Sequence, residues 1–287
     1  MRRFFIFAHF DRDDIIDPYV IHYISALSQL GTVIFVSTSQ LSSVEIAKLS
    51  PYTIQAISRP NFGYDFMSWQ RGLMLVENPC LYDEIIICND SVYAPIYPLH
   101  EMFEVMEASG AAYWGVTSNS EIAPHIQSYF MAFRRPVLER KEFWQFWDSV
   151  SVQPSKRAVI EAYEIGLSFV LVKLGLASAT YFSIDKLLDK ALGNFKCFST
   201  LPLLISPPYY GSEPLDVERL LSGVYNKTHA MWKDMILARI PMIKIELLRD
   251  NPTNQQVNAV LASLDRYADY PAQFLQDHLR RMRSSER

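Results

Sequence analysis

Residues Ile85-Ile86-Ile87-Cys88 run without a charged or amide side chain straight into Asn89-Asp90-Ser91. A strand that is apolar at every position has both faces buried, which a parallel sheet covered by helices on two sides provides. Open sheets of that kind bind ligands just beyond the carboxyl ends of their strands. The Asn-Asp-Ser cluster therefore falls where a ligand docks, and Asp90 brings an acceptor-only carboxylate suited to a metal ion or a sugar hydroxyl. The plain alternative is that Asn89 and Asp90 start a turn or cap a helix, as these types do routinely.

The first half of the chain alternates between two periodicities. Strands are expected over residues 4–8, 32–36, 53–57, 84–88 and 111–116, and helices over 18–30, 41–49, 64–76 and 98–109. Gly31 and Gly110 end two of those helices. This order predicts an α/β fold with a doubly wound, mostly parallel sheet, an αβα sandwich. The pattern then changes: a strand over 128–134, a helix over 136–150 opened by Pro136, a helix over 156–174 ended by Gly175, and a strand over 179–182. A loop around Pro207-Pro208-Tyr209-Tyr210-Gly211 and helices from Val217 and Trp232 follow, and the chain is helical and increasingly basic from about residue 252. We read residues 1–250 as one domain and 251–287 as a basic helical C-terminal extension.

Composition removes several function classes. With 49% hydrophobic and 20% charged residues the chain affords a large core, and a net charge of −4 argues against a general nucleic-acid binder. The 13% aromatic content suggests a filled interior and a surface for stacking on sugars. Cys80, Cys88 and Cys197 form no C-x-x-C pair, so neither a zinc nor a disulfide framework is expected and a reducing cytosol fits. The apolar run after Met1-Arg2-Arg3 ends by Ala8, too short for a signal peptide, and no membrane-length apolar stretch occurs. A dinucleotide-dependent oxidoreductase is disfavoured because the first βα turn, Ala8-His9-Phe10-Asp11-Arg12, has no glycine to admit a pyrophosphate.

Four polar segments remain as candidate chemistry. In Arg59-Pro60-Asn61-Phe62-Gly63-Tyr64-Asp65, Gly63 permits a tight turn and Asp65 sits in a first helical turn; the loop could grip a nucleotide, or be an ordinary corner with a helix-stabilising acid. His125-Ile126-Gln127-Ser128 follows the fifth strand and suits hydroxyl recognition, although a lone His is more often structural. Glu164, in Tyr163-Glu164-Ile165-Gly166, lies in an otherwise apolar helix; Gly166 suggests close approach by another group, and Glu164 is a candidate general base or else a solvent-facing acid. In Asn226-Lys227-Thr228-His229, His229 could ligate a metal, or the segment could simply cap the next helix.

Together these blocks resemble the rhamnan synthesis protein F family, sugar transferases of bacterial rhamnose-polysaccharide and lipopolysaccharide assembly. The resemblance rests on Asn61-Phe-Gly-Tyr-Asp65, Cys88-Asn-Asp-Ser-Val-Tyr-Ala-Pro95, Trp114-Gly-Val-Thr117, His125-Ile-Gln-Ser-Tyr-Phe130, Tyr163-Glu-Ile-Gly-Leu-Ser168 and Asn226-Lys-Thr-His229, extended by Pro241-Met-Ile-Lys244 and Glu246-Leu-Leu-Arg249. It implies a GT-A-like glycosyltransferase using a nucleotide-sugar donor, dTDP-rhamnose by the family's suggestion, and a lipid-linked or glycan acceptor. On that reading His9, Asn61, Gly63, Asp65, Asn89, Asp90 and Lys227 bind the donor, and His125, Gln127 and Ser128 bind the acceptor. Glu164 is the base of an inverting displacement. A divalent ion, Mg²⁺ or Mn²⁺, is implied at Asp90 and His229, although the usual motif has two acids around one residue and Asn89-Asp90-Ser91 has one. The resemblance places the protein in the cytoplasm at the inner face of the membrane, where Arg280, Arg281, Arg283 and Arg287 would touch anionic lipid or form a solvated tail. A non-catalytic sugar-binding or scaffold subunit is the competing reading. The enzyme reading requires that Asp90, Asp65, Glu164 and His229 converge on one cleft.

Overall fold

The structure, a computed structural model, describes residues 1–120, 122–183, 209–210, 213–214, 226–252 and 256–284. Its strands are β1 (Arg3–His9), β2 (Thr32–Ser37), β3 (Gln55–Ser58), β4 (Glu84–Asn89), β5 (Val92–Tyr93), β6 (Tyr113–Gly115), β7 (Ser118–Asn119), β8 (His125–Ile126), β9 (Phe130–Arg134), β10 (Ser178–Thr180), β11 (Tyr209–Tyr210), β12 (Glu213–Pro214) and β13 (Ile243–Lys244). A seven-stranded sheet runs in the order β10-β6-β9-β4-β1-β2-β3. It is mixed α/β and mostly parallel, as the alternation predicts.

Both faces are covered, and the strands show why. Phe5, Phe7, Val33, Phe35, Ile86 and Cys88 belong to one apolar cluster, while Phe4, Ile6, Ala8, Ile34, Val36, Ile85 and Ile87 belong to the other. Successive side chains leave a strand on opposite faces, so an unbroken apolar run fills two cores at once. Helix α1 (Pro18–Ser28) packs its Tyr19, Val20, Tyr23, Ile24 and Leu27 into the first cluster; α3 (Tyr64–Leu73) packs Phe66, Trp69 and Leu73 into the second. The short α2 (Ser43–Ala47) caps its start with the Ser42 side chain, and α4 (Leu99–Glu107) adds Met102, Phe103 and Met106 to the first cluster.

The antiparallel part of this mostly parallel sheet begins at the fourth strand. β4 is parallel to β1 on one side but antiparallel to β9 on the other, and β9 is antiparallel to β6 as well. Phe130–Arg134 is buried throughout, so its hydrophobic pattern carries no sign of its direction. The direction follows from the short β7–β8 hairpin at the carboxyl end, which turns the chain back into the sheet.

One expected helix is broken, and another runs uninterrupted but changes its winding midway. Residues 136–150 divide into α5 (Arg135–Leu138) and α6 (Lys141–Asp148). Residues 156–174 divide into α7 (Lys156–Val159), a π-helical turn over Ile160–Ile165, and α8 (Gly166–Lys173). Of the loop expected near residue 209, Tyr209–Tyr210 pairs with Glu213–Pro214 as a small antiparallel ladder. Cys197, the remainder of that loop and the helix from Val217 lie outside the described residues.

The C-terminal part continues with α9 (Lys227–Ala230), α10 (Trp232–Leu237), α11 (Ile245–Arg249), α12 (Val257–Tyr267) and α13 (Ala272–Ser284). Val260, Leu264, Leu275 and Leu279 join the same apolar cluster as Phe7 and Tyr23. The basic end is not a bare tail: Arg281 pairs with Asp11, Asp13 and Asp17 of the β1–α1 loop, and Arg12 of that loop donates to the Met282 carbonyl oxygen at 2.7 Å. His278 is buried beside it, hydrogen-bonded to the Tyr93 hydroxyl at 2.7 Å. Among the described residues no helix is long and apolar enough to cross a membrane.

Candidate active site

β1 lies between β2 and β4, so the chain leaves β1 in one direction along the sheet and returns to its other side at β4. The carboxyl ends of β1 and β4 flank the resulting switch-point crevice, where open α/β sheets take their ligands. Ala8 is in register with Asn89, which brings His9, Phe10 and Asp90 together. The Phe10 N–H donates to Asp90 Oδ2 at 2.9 Å, and the Tyr19 hydroxyl donates to the Asp90 carbonyl oxygen at 3.2 Å. His9 Nε2 lies 4.0 Å from Asp90 Oδ2, and its other ring nitrogen bonds the Ser37 hydroxyl at 2.9 Å. Burial lowers His9 to a pKa of about 4, leaving a neutral ring at physiological pH. Burial, with Asp65 adding to it, holds the Asp90 carboxyl well above the usual carboxylate range.

Asn89 joins this cluster to the neighbouring loop. Its Nδ2 donates to Asp65 Oδ2 at 2.8 Å, while its Oδ1 accepts from the Ser91 N–H at 3.2 Å and the Ser91 hydroxyl at 2.7 Å. It therefore shapes the Asn-Asp-Ser turn and also fixes Asp65, whose carboxyl burial raises. The loop before Asp65 is ordered by Arg59, which the sequence reading left without a role. Arg59 donates to the carbonyl oxygens of Pro60 (3.1 Å), Phe62 (2.6 Å) and Tyr64 (2.6 Å) and to the Ser68 hydroxyl (2.9 Å). Gly63 and Tyr64 both have positive φ, +75° and +54°, so Gly63 answers a backbone demand. Asn61 is exposed on this loop, flanked by the exposed ring of Phe62.

A second cluster forms on the other side of β4. Glu164 projects from the π-helical turn, a local irregularity that often marks functional positions. Its Oε1 accepts from the Ser128 N–H at 2.7 Å and the Ser128 hydroxyl at 2.5 Å, and its Oε2 lies 3.8 Å from His125 Nε2. His125 Nδ1 faces the Ala123 carbonyl oxygen at 2.7 Å, so Nδ1 carries the hydrogen. Gln127 Oε1 accepts from the Thr117 hydroxyl at 2.7 Å, and that hydroxyl also bonds the Tyr129 hydroxyl at 2.8 Å. The expectation of a close approach at Gly166 is corrected: a Cβ there would meet nothing nearer than 3.8 Å. Gly166 instead follows directly on the π-helical turn as the first residue of α8.

Lys244 stands between the two clusters. β13 pairs antiparallel with β5, opposing Lys244 to Val92 just after the Asn-Asp-Ser turn. Its Nζ is 3.5 Å from the Ser91 hydroxyl and 4.0 Å from the centroid of the Tyr129 ring. Burial lowers its pKa to about 8 against the opposing pull of Glu164, Glu246 and Asp65. In the sequence Lys244 closes Pro241-Met-Ile-Lys244 with no polar neighbour to mark it. The available signal was a lysine between Ile243 and Ile245, both buried.

His229 is placed differently from the expectation. Its Nε2 lies 3.6 Å from Glu246 Oε2 on α11, whereas the contacts of Asp90 are Phe10, Tyr19 and His9. The Lys227 side chain lies outside the described residues. Among the described residues no three His, Cys, Asp or Glu side chains are grouped to hold a metal ion. The donor set at the crevice is thus Asp90 with Asp65 close enough to oppose its ionisation. That fits an ion of the Mg²⁺ type, which binds through one or two carboxylates and completes its shell with phosphate oxygens and water.

A family model described as rhamnan synthesis protein F matches residues 33–205, which hold Asp65, Asn89, Asp90, His125, Ser128 and Glu164 but not His9, Phe10, Tyr19 or Lys244. Virulence protein VirA of Vibrio anguillarum is 29% identical over 233 residues, covering 78% of this chain and 73% of that protein. Among solved structures, S. aureus TarS is similar at 11% identity and a TM-score of 0.41, over 97% of this chain and 91% of that one. Core-mannan synthase A of Aspergillus fumigatus, in its Mn/GDP form, is similar at 10% identity and a TM-score of 0.36, over 58% and 69%.

Proposed function

The chain belongs to the rhamnan synthesis protein F family, and from that premise we propose that it is a glycosyltransferase moving a sugar from a nucleotide-sugar donor to a hydroxyl of a bacterial surface glycan. The observation that carries the reading is that Lys244 feels both Asp65, which Asn89 ties to the Asp90 turn, and Glu164, which Ser128 holds. A transferase of this type needs a place for phosphate and a place for a proton acceptor, side by side at the carboxyl rim.

In this reading the donor is dTDP-rhamnose and lies along the crevice between β1 and β4, over His9, Asn89 and Asp90, with Asn61, Gly63 and Asp65 at its nucleoside end. Asp90, with Asp65 beside it, would hold Mg²⁺ or Mn²⁺, which when bound supplies Lewis-acid stabilisation to a diphosphate. Glu164 is the base. Its Oε1 is held by Ser128, so Oε2 is the oxygen that takes the proton of the acceptor hydroxyl. The freed oxygen attacks the anomeric carbon opposite the leaving group and inverts it. General-base assistance of this kind contributes about 10² to 10⁴ in rate. The amide nitrogen of Gln127, with His125, orients the acceptor, which is lipid-linked or part of a growing glycan at the cytoplasmic face of the membrane. Residues 1–250 carry the chemistry, and within the extension Arg281 of α13 clasps the β1–α1 loop.

A thermal-shift screen of nucleotide sugars with and without Mn²⁺ tests the donor class, because a ligand that binds only the folded state raises Tm. Glu164→Gln should then bind donor and fail to turn it over; a fully active Glu164→Gln removes Glu164 from the base role. Donor binding with no hydrolysis or transfer by the wild type would favour the non-catalytic subunit, which the single acid of Asn89-Asp90-Ser91 motivates.

A further inference from the structure

We propose that Lys244 is the leaving-group residue of this transfer: its ammonium binds the donor diphosphate and stabilises the charge that develops on the departing phosphate oxygen. The proposal rests on the glycosyltransferase reading and adds to it a residue from the far end of the chain.

The position is the first argument. Pairing of β13 with β5 sets Lys244 directly behind the Asn89-Asp90-Ser91 turn, with Ser91 Oγ 3.5 Å from Nζ. The surroundings are the second. Lysine is seldom withdrawn from water unless paired, and Lys244 is half-buried. Lys244 sits between buried Ile243 and Ile245, and it feels Glu164, Glu246 and Asp65 without forming an ion pair to any of them among the described residues. Its support is the Tyr129 ring, 4.0 Å away, and Tyr129 is held in turn by Thr117. An ammonium has three N–H donors, so a cation resting on a ring face and sharing one with Ser91 keeps the others for another partner. Glu164, Asp65 and Glu246 are engaged by Ser128, Asn89 and His229, so the partner that suits this ammonium is an anion that arrives with the substrate.

The chemistry is the third argument. In the transfer, the bond between the anomeric carbon and the terminal phosphate oxygen of the diphosphate breaks, and its electron pair stays on that oxygen. The acceptor oxygen bonds the anomeric carbon and its proton passes to Glu164. The diphosphate therefore gains a negative charge during the step. A preorganised cation in a water-poor site is most effective where charge develops. With one carboxylate in the Asn-Asp-Ser turn, Lys244 supplies positive charge from beside Ser91.

The test is calorimetric titration of the full chain with UDP, GDP and dTDP, and with the matching monophosphates, in EDTA and in Mn²⁺. Wild type is compared with Lys244→Met, and Tm is recorded for both. Wild type should bind one of the diphosphates, and Lys244→Met should bind that diphosphate at least tenfold more weakly in both media, with monophosphate affinity little changed and Tm no lower. Equal diphosphate affinity, or a loss that strikes monophosphate and diphosphate alike, overturns the role of Lys244 and leaves the glycosyltransferase reading intact. Failure of the wild type to bind any of the three diphosphates overturns both.

Discussion

Ser128 gives Glu164 two hydrogen bonds at once, from its backbone N–H at 2.7 Å and its hydroxyl at 2.5 Å, both to Oε1. The carboxylate is therefore fixed in orientation with its second oxygen left toward His125. Removing the hydroxyl keeps the backbone bond and loosens the rotamer. Ser128→Ala should lower kcat about tenfold with KM for the donor little changed, the effect of a charge-assisted hydrogen bond of about 1.5 kcal/mol or more. Steady-state kinetics that instead moved only the donor KM would assign Ser128 to binding.

Lys244 should make the protein less stable than it need be. Its pKa falls from 10.5 to about 8 on folding, mainly through burial. Below pH 8 it is charged in both states, and the whole burial cost is present. Between pH 8 and 10.5 the unfolded chain holds a proton that the folded one has released, so this cost fades as pH rises. At about 1.4 kcal/mol per pKa unit, Lys244→Met should stabilise the fold at pH 7 by up to about 3 kcal/mol. Urea unfolding at pH 7 and pH 10 should show the advantage shrinking at the higher pH; a variant less stable than wild type at pH 7 contradicts the argument.

At the opposite end of the sheet Glu84 is wholly buried and accepts from Arg3 at 2.9 Å, Arg134 at 2.8 Å and the Trp114 indole at 2.9 Å. Glu84→Gln leaves two guanidinium groups facing a neutral amide. Breaking such a buried charge network costs about 3–5 kcal/mol. The expected outcome is a large fall in the denaturation midpoint with nucleotide affinity of the folded protein unchanged, since no crevice residue touches Glu84.

Arg281 ties α13 to Asp11, Asp13 and Asp17 on the loop that also carries Phe10. Arg281→Ala should speed amide hydrogen exchange in residues 9–17 and 272–284 together, and should weaken nucleotide binding through the loosened Phe10–Asp90 contact. Faster exchange confined to the helix would show that the loop holds its shape unaided.

Much of the architecture can be read from side-chain periodicity, and the exceptions have physical causes. Ile85–Cys88 announces a central strand, and Asn89-Asp90-Ser91 lies at a carboxyl end because the run before it has no other direction to go. The link from Asp90 to Asp65 through Asn89, and that of Glu164 to Ser128 and His125, follow once the loops are assigned to one rim. The reversed β9 was hidden because a strand buried on both faces looks the same in either direction. The π-helical turn that presents Glu164 differs from an α-helix only in its backbone bonding, which Tyr163-Glu164-Ile165-Gly166 does not advertise. Lys244 was overlooked since its meaning depends on Ser91 and Tyr129, more than a hundred positions earlier. For the same reason the contact of His229 with Glu246 is not visible in Asn226-Lys227-Thr228-His229.

The two-residue strand of Ile243 and Lys244 has a consequence for how the molecule matures. All seven strands of the main sheet are complete by Thr180, yet the ammonium beside Ser91 comes from later in the chain. A nascent chain emerging from the ribosome can thus complete its β-scaffold while still lacking that charge. The apolar face that Phe7 and Tyr23 share with Val260, Leu264, Leu275 and Leu279 is covered only by the same late segment, so the lid over that face and the charge at the rim arrive together.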